Sequence, residues 1–514
     1  MTTSRRDFIK FVVAGGVASG CPVNFKLLAA DDNPKAQIEG DHFAVCHEVR
    51  DGKDFSKPPV SKRYDVVIVG GGVSGMSAAY FLKDHNFLLL EKEPHFGGNA
   101  YREEYQGQGF ATGSAFDTKD SESYLLAKEL GLTLLPIDCP DPTIVNGEWV
   151  ADTWRDGIHH LPYSNTVRES FKQFKVAMLA LDTDKDAAHL DSFPISDILK
   201  NYAPEVTQWW DAYGPSNWGA KTQDTAALVV AEDLQEATAE HDERRTLPGG
   251  NGALAGQLFR TLSAKHSDRM LGDATIVSVE PQRTAVNITF VHDGELQTVA
   301  AKCVIMATPK FITARLVSGV PDAQAEAMRS FRYCPYPVIN MIFDKPIYNR
   351  GYDTWCPGNV FTDFIVADWV LQKQPGYVQK NNILSFYTPL AESQRATLLS
   401  LDSCQSLAEH VLRDFRKLRP EFKDAEPIEV HLYRRGHPMY LPVPGNYTRT
   451  IPLASQPMDR VFFANTDSIG PVSDISQAVV SGHRAADWAV KRQASASVAA
   501  PTYFPPCNNP TART

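Results

Sequence analysis

Three absences narrow the functions open to this 514-residue chain. Its eight cysteines form no C-x-x-C pair, so neither a zinc ribbon nor a thioredoxin-like redox pair is predicted, and we expect no metal site. Acidic residues outnumber basic ones by 61 to 51, which disfavours binding to the phosphate backbone of nucleic acids. Beyond residue 30, no apolar run reaches the roughly 18 residues that suggest a transmembrane segment. The remaining composition, with 43% hydrophobic and 22% charged residues, is that of a globular protein.

The first 30 residues are interpreted as an export signal. Residues 4–10 match the twin-arginine pattern S-R-R-x-F-[LI]-K, and a short, weakly apolar segment follows. The pattern predicts export of the folded protein by the twin-arginine machinery into a bacterial periplasm. Cleavage is expected near Ala29 or Ala30, and lipoprotein-type cleavage with anchoring at Cys21 is the alternative. Residues 31–62 are expected to be a polar leader, and residues 493–514 a flexible tail rich in Ala, Ser and Pro.

The strongest motif is a glycine-rich turn between a strand and a helix. Residues 64–69 (YDVVIV) are typical of a strand buried on both faces, and a helix is predicted from Met76 to Lys83. The glycines of the intervening G-x-G-x-x-G motif are Gly70, Gly72 and Gly75. A second strand follows and ends at Glu91. This order predicts a dinucleotide site, in which the helix N-terminus faces a pyrophosphate and the acid binds ribose hydroxyls.

Later segments resemble the flavin-containing amine oxidase superfamily. They are a glycine pair at residues 97–98, LPGGNGAL at 247–254, CVIMATP at 303–309 and RVFFANTD at 460–467. The resemblance extends in order over most of residues 64–490 and implies an α/β fold with FAD as the cofactor. It implies a Rossmann-like FAD-binding domain assembled from residues 63–120, 246–310 and 450–492. Residues 121–245 and 311–449 are expected to form a substrate domain of mixed sheet and helices.

The motif and the resemblance together imply a set of cofactor-binding residues. Ile276 is expected to contact the adenine through its backbone, Asp467 to bond the ribityl–pyrophosphate region, and Ile475 to begin a helix that points at the flavin. The full set is Gly70, Gly72, Val73, Ser74, Gly75, Glu91, Lys92, Gly97, Gly98, Asn99, Arg102, Gly113, Ser114, Ile276, Asp467 and Ile475.

Several positions depart from the family pattern. Asn99 stands where an arginine is usual, with Arg102 near enough to substitute, and Asn465 replaces a usual glycine. The Ser-Gly-Gly-Cys run that attaches flavin covalently is absent, so the FAD is expected to be noncovalent. Asn340 takes the place of a lysine that helps many family oxidases to react with oxygen. Because an amide carries no positive charge, we expect a dehydrogenase that reduces an unidentified periplasmic acceptor. These departures resemble the bacterial subgroup that includes spermidine dehydrogenase.

Candidate substrate-pocket residues precede the last FAD segment. His437 and Tyr440 are assigned to the catalytic pocket, together with Asn340; a packed core histidine and tyrosine are the alternative. An aromatic cluster could cage a cation or simply form core, and we favour core. Its members are Trp209, Trp210, Tyr213 and Trp218. An acidic stretch could attract a polyamine, but a solvated helix face is the favoured interpretation. Its members are Glu232, Asp233, Glu236, Glu240, Asp242 and Glu243.

These observations predict an exported FAD-dependent oxidoreductase. Its small-molecule substrate is expected to be an amine, with polyamines among the candidates, which transfers a hydride to flavin and becomes an imine. One alternative is an FAD-dependent polyene desaturase or isomerase, for which an apolar tunnel is expected. The other is a flavin-binding redox partner without turnover.

Overall fold

The computed structural model of the chain describes residues 34–40, 42–139, 141–239 and 243–494. The predicted twin-arginine signal and the alternative cleavage site at Cys21 lie outside these residues. The last helix extends to Ala494, two residues into the predicted tail, and the rest of the tail is also outside. Within the described part of the chain, no helix combines the length and apolarity needed to cross a membrane.

The first of the two large sheets has seven strands and contains the predicted nucleotide-binding strand. Its strands, in spatial order, are Met270–Leu271, Phe87–Leu90, Val60–Val69, Glu295–Met306, Val286–His292 and Thr275–Pro281, with Val461–Phe463 beside the end of Glu295–Met306. Val286–His292 and Thr275–Pro281 run antiparallel to their neighbours, and the other strands are parallel. Val66 and Ile68 pack into one apolar cluster, and Val67 and Val69 into another. The strand is therefore buried on both faces, which explains its continuous apolar run.

The second sheet has eight strands. In spatial order they are Gln37–Glu39, Glu429–Tyr433, Val338–Phe343, Asn382–Tyr387, Asp363–Val366, Asp353–Trp355, Thr143–Val145 and Glu148–Val150. Smaller sheets pair Arg102–Tyr105 with Gln108–Ala111, Tyr333–Cys334 with Met439–Tyr440, and Arg244–Thr246 with both Asp117–Thr118 and Leu135–Pro136. Two mixed sheets, of which the first is mainly parallel, together with the flanking helices agree with the expected α/β class.

The segment predicted to be a polar leader is folded into the sheets where the structure describes it, at residues 34–40 and 42–62. Gln37–Glu39 forms the edge strand of the second sheet and pairs in parallel with Glu429–Tyr433. Ala44–Arg50 forms a helix, and Val60–Val69 already belongs to the first sheet at its start. The polar side chains of Gln37 and Glu39 fit the edge position, where alternate side chains face solvent while the backbone is still hydrogen-bonded.

Helices cover the sheets and surround the space between them. The α-helices are Ala44–Arg50, Val73–Phe81, Glu122–Glu129, Asn165–Leu179, Ala187–Leu190, Ser196–Leu199, Pro204–Trp218, Ala227–Ala237, Gly252–His266, Lys310–Leu316, Asp322–Ser330, Leu401–Leu418, Ile451–Ala454 and Ile475–Ala494. Val73–Phe81 and Ile475–Ala494 pack against the first sheet. Pro204–Trp218 and Ala227–Ala237 share an apolar core with the second sheet.

Candidate active site

One cavity of ≈ 2650 Å³ is lined by residues of both sheets. The first sheet contributes Val69, Leu90 and Ile276, and the second contributes Val338, Ile365 and Tyr387. The glycine motif lies at the end that belongs to the first sheet. Helices Pro204–Trp218 and Ala227–Ala237 line the part that faces the second sheet. The arrangement provides one continuous space with two chemically different walls.

The glycine motif leaves an open cradle at a helix N-terminus. Gly72 precedes the helix Val73–Phe81, and no side chain caps this end. A Cβ atom on Gly72 would meet only the Cα of Gly98, at 3.8 Å, so the space beside it is open. A Cβ atom on Gly75 would lie 1.8 Å from the carbonyl oxygen of Gly70, which makes glycine obligatory there. An uncapped helix start beside open space fits a pyrophosphate.

Glu91 lines the cavity at the end of the neighbouring strand. Its carboxylate is 8% exposed and accepts hydrogen bonds from the backbone N–H groups of Gly71, at 2.5 Å, and Glu93, at 2.9 Å. Burial raises the pKa of this carboxyl above its usual range. Two oxygens have about four acceptor positions, so the carboxylate retains capacity for ribose hydroxyls. The residues at this end therefore fit a dinucleotide cofactor.

Most of the predicted cofactor-binding residues line the cavity. They are Gly70, Gly72, Val73, Ser74, Glu91, Lys92, Gly97, Gly98, Asn99, Gly113, Ser114, Ile276 and Ile475. Gly75, Arg102 and Asp467 are outside the lining. Gly75 instead allows the close contact between turn and helix, as its position against Gly70 requires.

Arg102 does not take the role expected of a substitute for the family arginine. Its guanidinium group bonds to Glu104, and its stem packs against Gly252, where an added Cβ would lie 2.4 Å from the Arg102 Cβ. Both partners hold the side chain along the hairpin, away from the cavity. Asn99 lines the cavity, and its side-chain amide donates to the carbonyl of Pro438 at 2.8 Å.

Asp467 corrects the expectation of a direct contact with FAD. It is completely buried and bonded to the equally buried Lys310, with 2.9 Å between Oδ1 and Nζ. Its Oδ2 accepts from the Lys310 backbone at 2.8 Å and from the Tyr333 hydroxyl at 2.7 Å. Burial lowers the pKa of Lys310 despite the opposing effect of Asp467. The carboxylate is thus occupied by internal partners. The lysine that follows A-T-P in the sequence was the available signal.

Asn340 also lies outside the cavity lining, contrary to its predicted place beside the flavin. It is completely buried in the strand Val338–Phe343. Its Nδ2 donates to the carbonyl of Ala111 at 3.1 Å, and its Oδ1 accepts from the hydroxyl of Ser385. These bonds commit the amide to holding Ala111 against the second sheet. The substitution for lysine remains, but the amide is buried and bonded to protein groups on both sides.

His437 and Tyr440 both line the cavity. The Tyr440 ring is 1% exposed, and its hydroxyl donates to the carbonyl of Gly470. Burial raises its pKa well above the usual value, so it is a neutral packed phenol. His437 is half-buried, with its ring 4.7 Å from that of Phe311. Of these two residues, His437 is the more accessible from the cavity.

The second sheet supplies cavity residues that sequence reasoning missed. Asp353 and Asp363 line the cavity and are 4% and 1% exposed, and Tyr336, Tyr387 and Tyr433 lie on the same wall. The Tyr387 hydroxyl donates to the carbonyl of Gly113 at 2.6 Å, which links this wall to the cofactor end. The available signal was the presence of aspartates in short strands of otherwise apolar and aromatic residues.

Arg435 is a cavity residue that places a positive charge near residues 112–114. Its Nη2 donates to the hydroxyl of Thr112 at 2.6 Å. It lies two residues after the strand Glu429–Tyr433. The sequence predicted pocket roles for His437 and Tyr440 in this segment but none for Arg435.

The favoured interpretation of the acidic stretch is wrong for part of it. Glu232 and Asp233 line the cavity from the helix Ala227–Ala237, and Asp233 accepts a hydrogen bond from the Tyr213 hydroxyl at 3.2 Å. Burial raises the pKa of Glu232 to about 7 and that of Asp233 to about 8. Glu236 and Glu243 also line the cavity, whereas Glu240 and Asp242 lie outside the described residues.

The aromatic cluster is mainly core, as favoured from the sequence. Trp209 and Trp210 are 4% and 1% exposed and pack around Trp154. Tyr213 and Trp218 belong to the same cluster but also line the cavity. The cluster therefore supports the helical wall and presents two rings to the interior.

Comparison with known proteins agrees with this geometry. The model of the flavin containing amine oxidoreductase family matches residues 73–489. Oxidoreductase PigB of a Serratia species is 24% identical, with 85% of this chain and 76% of that protein covered. The flavin-containing amine oxidase A of Bos taurus is 23% identical, with 82% and 84% covered.

Among solved structures, cyclohexylamine oxidase from Brevibacterium oxydans superposes with a TM-score of 0.67. It is 18% identical, and the match covers 84% of this chain and all of that one. At 18% identity, this similarity supports the fold alone. Family membership rests on the family model, which matches residues 73–489. The predicted resemblance and fold class are confirmed: the chain belongs to the flavin-containing amine oxidoreductase family and is an FAD-dependent oxidoreductase.

Proposed function

We propose that this protein oxidises an amine to an imine, with noncovalent FAD as the immediate electron acceptor and a second, separate acceptor other than oxygen. The observation that carries the proposal is the single cavity that joins the glycine cradle to a wall of tyrosines and carboxylates. When bound, the flavin accepts a hydride equivalent from the carbon beside the amine nitrogen.

The cofactor would be held mainly by backbone groups and one acid. The N-terminal turn of Val73–Phe81 would bind the pyrophosphate, and Glu91 the ribose. Within the described residues, Cys46 is the cysteine that lines the cavity, and it lies on the helix Ala44–Arg50 near Ile276. That position is at the end expected to hold the adenine, far from the expected place of the flavin ring, and this supports the proposal of a flavin held without a covalent bond to sulfur.

The opposite wall suits an amine that must react in its neutral form. Tyr336, Tyr387 and Tyr433 are buried and line the cavity. Aromatic surroundings with little water lower the pKa of an ammonium group and so favour the neutral amine. Carboxylates on the same wall speak against the polyene desaturase alternative, because an extended hydrocarbon would leave them desolvated and unpaired.

Reduction of an acceptor other than oxygen rests on what residue 340 does not supply: the lysine of many family oxidases is replaced there by an asparagine that does not line the cavity. The strand Val338–Phe343 carries Asn340, an amide committed to Ala111 and Ser385, in place of a cation. Arg435 is the competing source of positive charge near residues 112–114, since it lines the cavity. Slow reoxidation of the flavin by air would indicate that the missing lysine at residue 340 limits the reaction with oxygen. Fast reoxidation would indicate that Arg435 supplies the positive charge instead.

Export to a bacterial periplasm by the twin-arginine machinery remains part of the proposal and rests on residues 4–10. Replacement of Arg5 and Arg6 together by lysine should leave the protein in the cytoplasm of a host that has the pathway. Cell fractionation measures this outcome. Equal periplasmic amounts of the variant and the parent would refute the assignment.

The proposed chemistry is tested by anaerobic mixing of the yellow holoprotein with primary, secondary and polyamines. Bleaching of the flavin by an amine, followed by slow recovery in air and fast recovery with an artificial acceptor, is the expected result. Acid precipitation should release the flavin into solution, since no covalent bond is expected. If dithionite bleaches the flavin but no amine does, the amine assignment fails.

A further inference from the structure

We propose that Asp353 and Asp363 form a subsite for a second cationic group of the substrate, so that the enzyme selects amines with two positively charged nitrogens. The inference rests on the proposed amine oxidation and names the substrate class of the same cavity. The two residues are called the acid pair below. Neither acid belongs to the sequence segments from which the FAD site was predicted.

The acid pair lies on the cavity face of two adjacent antiparallel strands. Asp353 opposes Ile365, and Asp363 opposes Tyr387 on the next strand. All four side chains line the cavity, so they share one face of the sheet. An acid on each of two neighbouring strands creates a compact anionic site within a wall that is otherwise aromatic and aliphatic.

One carboxylate oxygen in this site has no internal partner. Asp353 is 4% exposed, and its Oδ1 accepts no hydrogen bond from the described residues. A buried oxygen without a partner costs free energy that a bound donor would recover. Asp363 differs because it accepts from the Thr362 hydroxyl at 2.5 Å. Burial raises the pKa of each carboxyl, and the negative charge of Asp363 adds to the rise at Asp353.

The nearby cation Arg244 offsets only part of the rise in the pKa of Asp353. Arg244 lines the cavity, but it is paired with Asp141 at 2.7 Å between Nη2 and Oδ2. Asp141 adds negative charge that further raises the pKa of both members of the acid pair. The raised pKa means that the pair holds a proton more readily than free carboxyls do, and a cation bound beside it would favour release of that proton and the ionised form.

The rings around the acid pair suit an alkylammonium group. Tyr336 and Tyr387 line the cavity with ring centroids 5.8 Å apart. Aromatic faces attract ammonium groups, and the effect increases when water is excluded. Such a lining would bind the methylene groups of an aliphatic chain as well as its terminal charge.

The position of the acid pair separates the bound cation from the reacting nitrogen. Tyr387 contacts the carbonyl of Gly113 at the cofactor end, and Asp363 and Asp353 lie one and two strands beyond it. Neighbouring strands are about 4.8 Å apart, so the acids lie roughly 5–10 Å beyond Tyr387. One nitrogen can thus stay charged at the acids while the other approaches the flavin in neutral form, as in a short aliphatic diamine.

The test measures binding separately from chemistry. The holoenzyme is reduced with dithionite under anaerobic conditions, so no amine can be oxidised, and calorimetry gives the Kd of each amine. The probes are butane, pentane and hexane α,ω-diamines, each beside the primary monoamine of equal length. We expect at least one diamine to bind roughly tenfold to hundredfold more tightly than its monoamine.

The variants Asp353→Asn and Asp363→Asn keep the shape of the side chain but cannot take on the negative charge that would face a bound cation. In each, the diamine should lose most of its advantage over the monoamine. The matched control Asp344→Asn changes an exposed acid in the loop after the strand Val338–Phe343 and should keep the wild-type ratio. Equal affinity for diamine and monoamine in the wild type, or an unchanged ratio in both acid-pair variants, would overturn the subsite.

The outcome separates this inference from the proposed function. If amines bleach the oxidised flavin but the reduced enzyme binds diamines and monoamines equally, the subsite is wrong and amine oxidation stands. If the reduced enzyme prefers diamines through the acid pair but no amine bleaches the oxidised flavin, the subsite stands and the proposed oxidation fails.

Discussion

The two ends of the cavity are built in different ways. At the cofactor end, the groups come from short continuous segments: the turn Gly70 to Gly75, the acid Glu91 and the pair Gly97 and Gly98. At the substrate end, they come from strands distant in sequence, such as those that carry Tyr387 and Tyr433, which are brought together by their common partner Val338. The comparison teaches that local backbone geometry determines the cofactor end, whereas tertiary pairing determines the substrate end.

The largest expected effect concerns the buried ion pair between Lys310 and Asp467, next to the cofactor end of the cavity. Replacement of Lys310 by Met should lower the free energy of unfolding by about 3–5 kcal/mol, because it leaves the buried carboxylate of Asp467 without its charged partner. Chemical denaturation of the apoprotein measures this. The double variant Lys310→Met/Asp467→Asn should regain part of the loss. If Asp467→Asn alone releases flavin without any loss of stability, Asp467 acts on the cofactor instead.

The next effect concerns the turn itself. Gly75→Ala should cost roughly 3 kcal/mol of stability and abolish flavin binding, because its Cβ would lie 1.8 Å from the Gly70 oxygen. Gly256→Ala is the matched control in the helix Gly252–His266, where the nearest atom to the added Cβ is Arg260 Nη1 at 3.5 Å. It should be neutral or slightly stabilising. Thermal unfolding measures the change in stability of each variant, and the absorbance of the purified protein measures its flavin content. A wild-type flavin content in Gly75→Ala would contradict the account.

A smaller effect separates cofactor affinity from stability. Glu91→Gln should weaken binding of flavin to the apoprotein roughly tenfold, since the carboxylate loses charge opposite the ribose hydroxyls. Fluorescence titration of the apoprotein with FAD gives the Kd. The exposed Glu104→Gln in the hairpin is the control and should bind FAD as the wild type does. An unchanged Kd in Glu91→Gln would remove Glu91 from the cofactor site.

The last effect, of a size similar to the one before, is a pH dependence at the substrate end. Burial raises the pKa of Asp233 to about 8, compared with about 3.9 in an unfolded chain. The folded state therefore holds this proton more tightly, so stability falls as the pH rises from about 4 to about 8. Asp233→Asn should remove this pH dependence. Its free energy of unfolding should therefore rise by about 2 kcal/mol relative to that of the wild type between about pH 5 and pH 8, a value reduced because water from the cavity reaches the residue. Denaturation at the two pH values measures this gain. Parallel pH profiles for the variant and the wild type would contradict the shift.

Sequence reasoning succeeded where a motif and its geometry occupy the same short segment. The strand Val60–Val69, the turn and the helix Val73–Phe81 are consecutive, so their patterns predict both the fold and the role of Gly72. The helix begins at Val73 rather than Met76 because Gly72 is extended and serves as its cap. A local pattern could not locate this boundary to the residue.

The same reasoning failed where side-chain partners decide the role. Asn340 and Asp467 match family positions, but their amide and carboxylate are engaged by Ser385 and Lys310, which are distant in sequence. Asp353 faces the cavity only because of its strand register, and a shift of one residue would turn it to the opposite face. One sequence does not specify that register.

The account's central claim is that the two ends form one reaction site for an amine. An anaerobic titration of the oxidised holoprotein with a diamine tests it most directly, with flavin absorbance and aldehyde formation followed together. We expect one flavin to be reduced for each amine consumed, with an equal amount of aldehyde after hydrolysis of the imine. Flavin that stays oxidised with every amine, yet is bleached by dithionite, would contradict the claim.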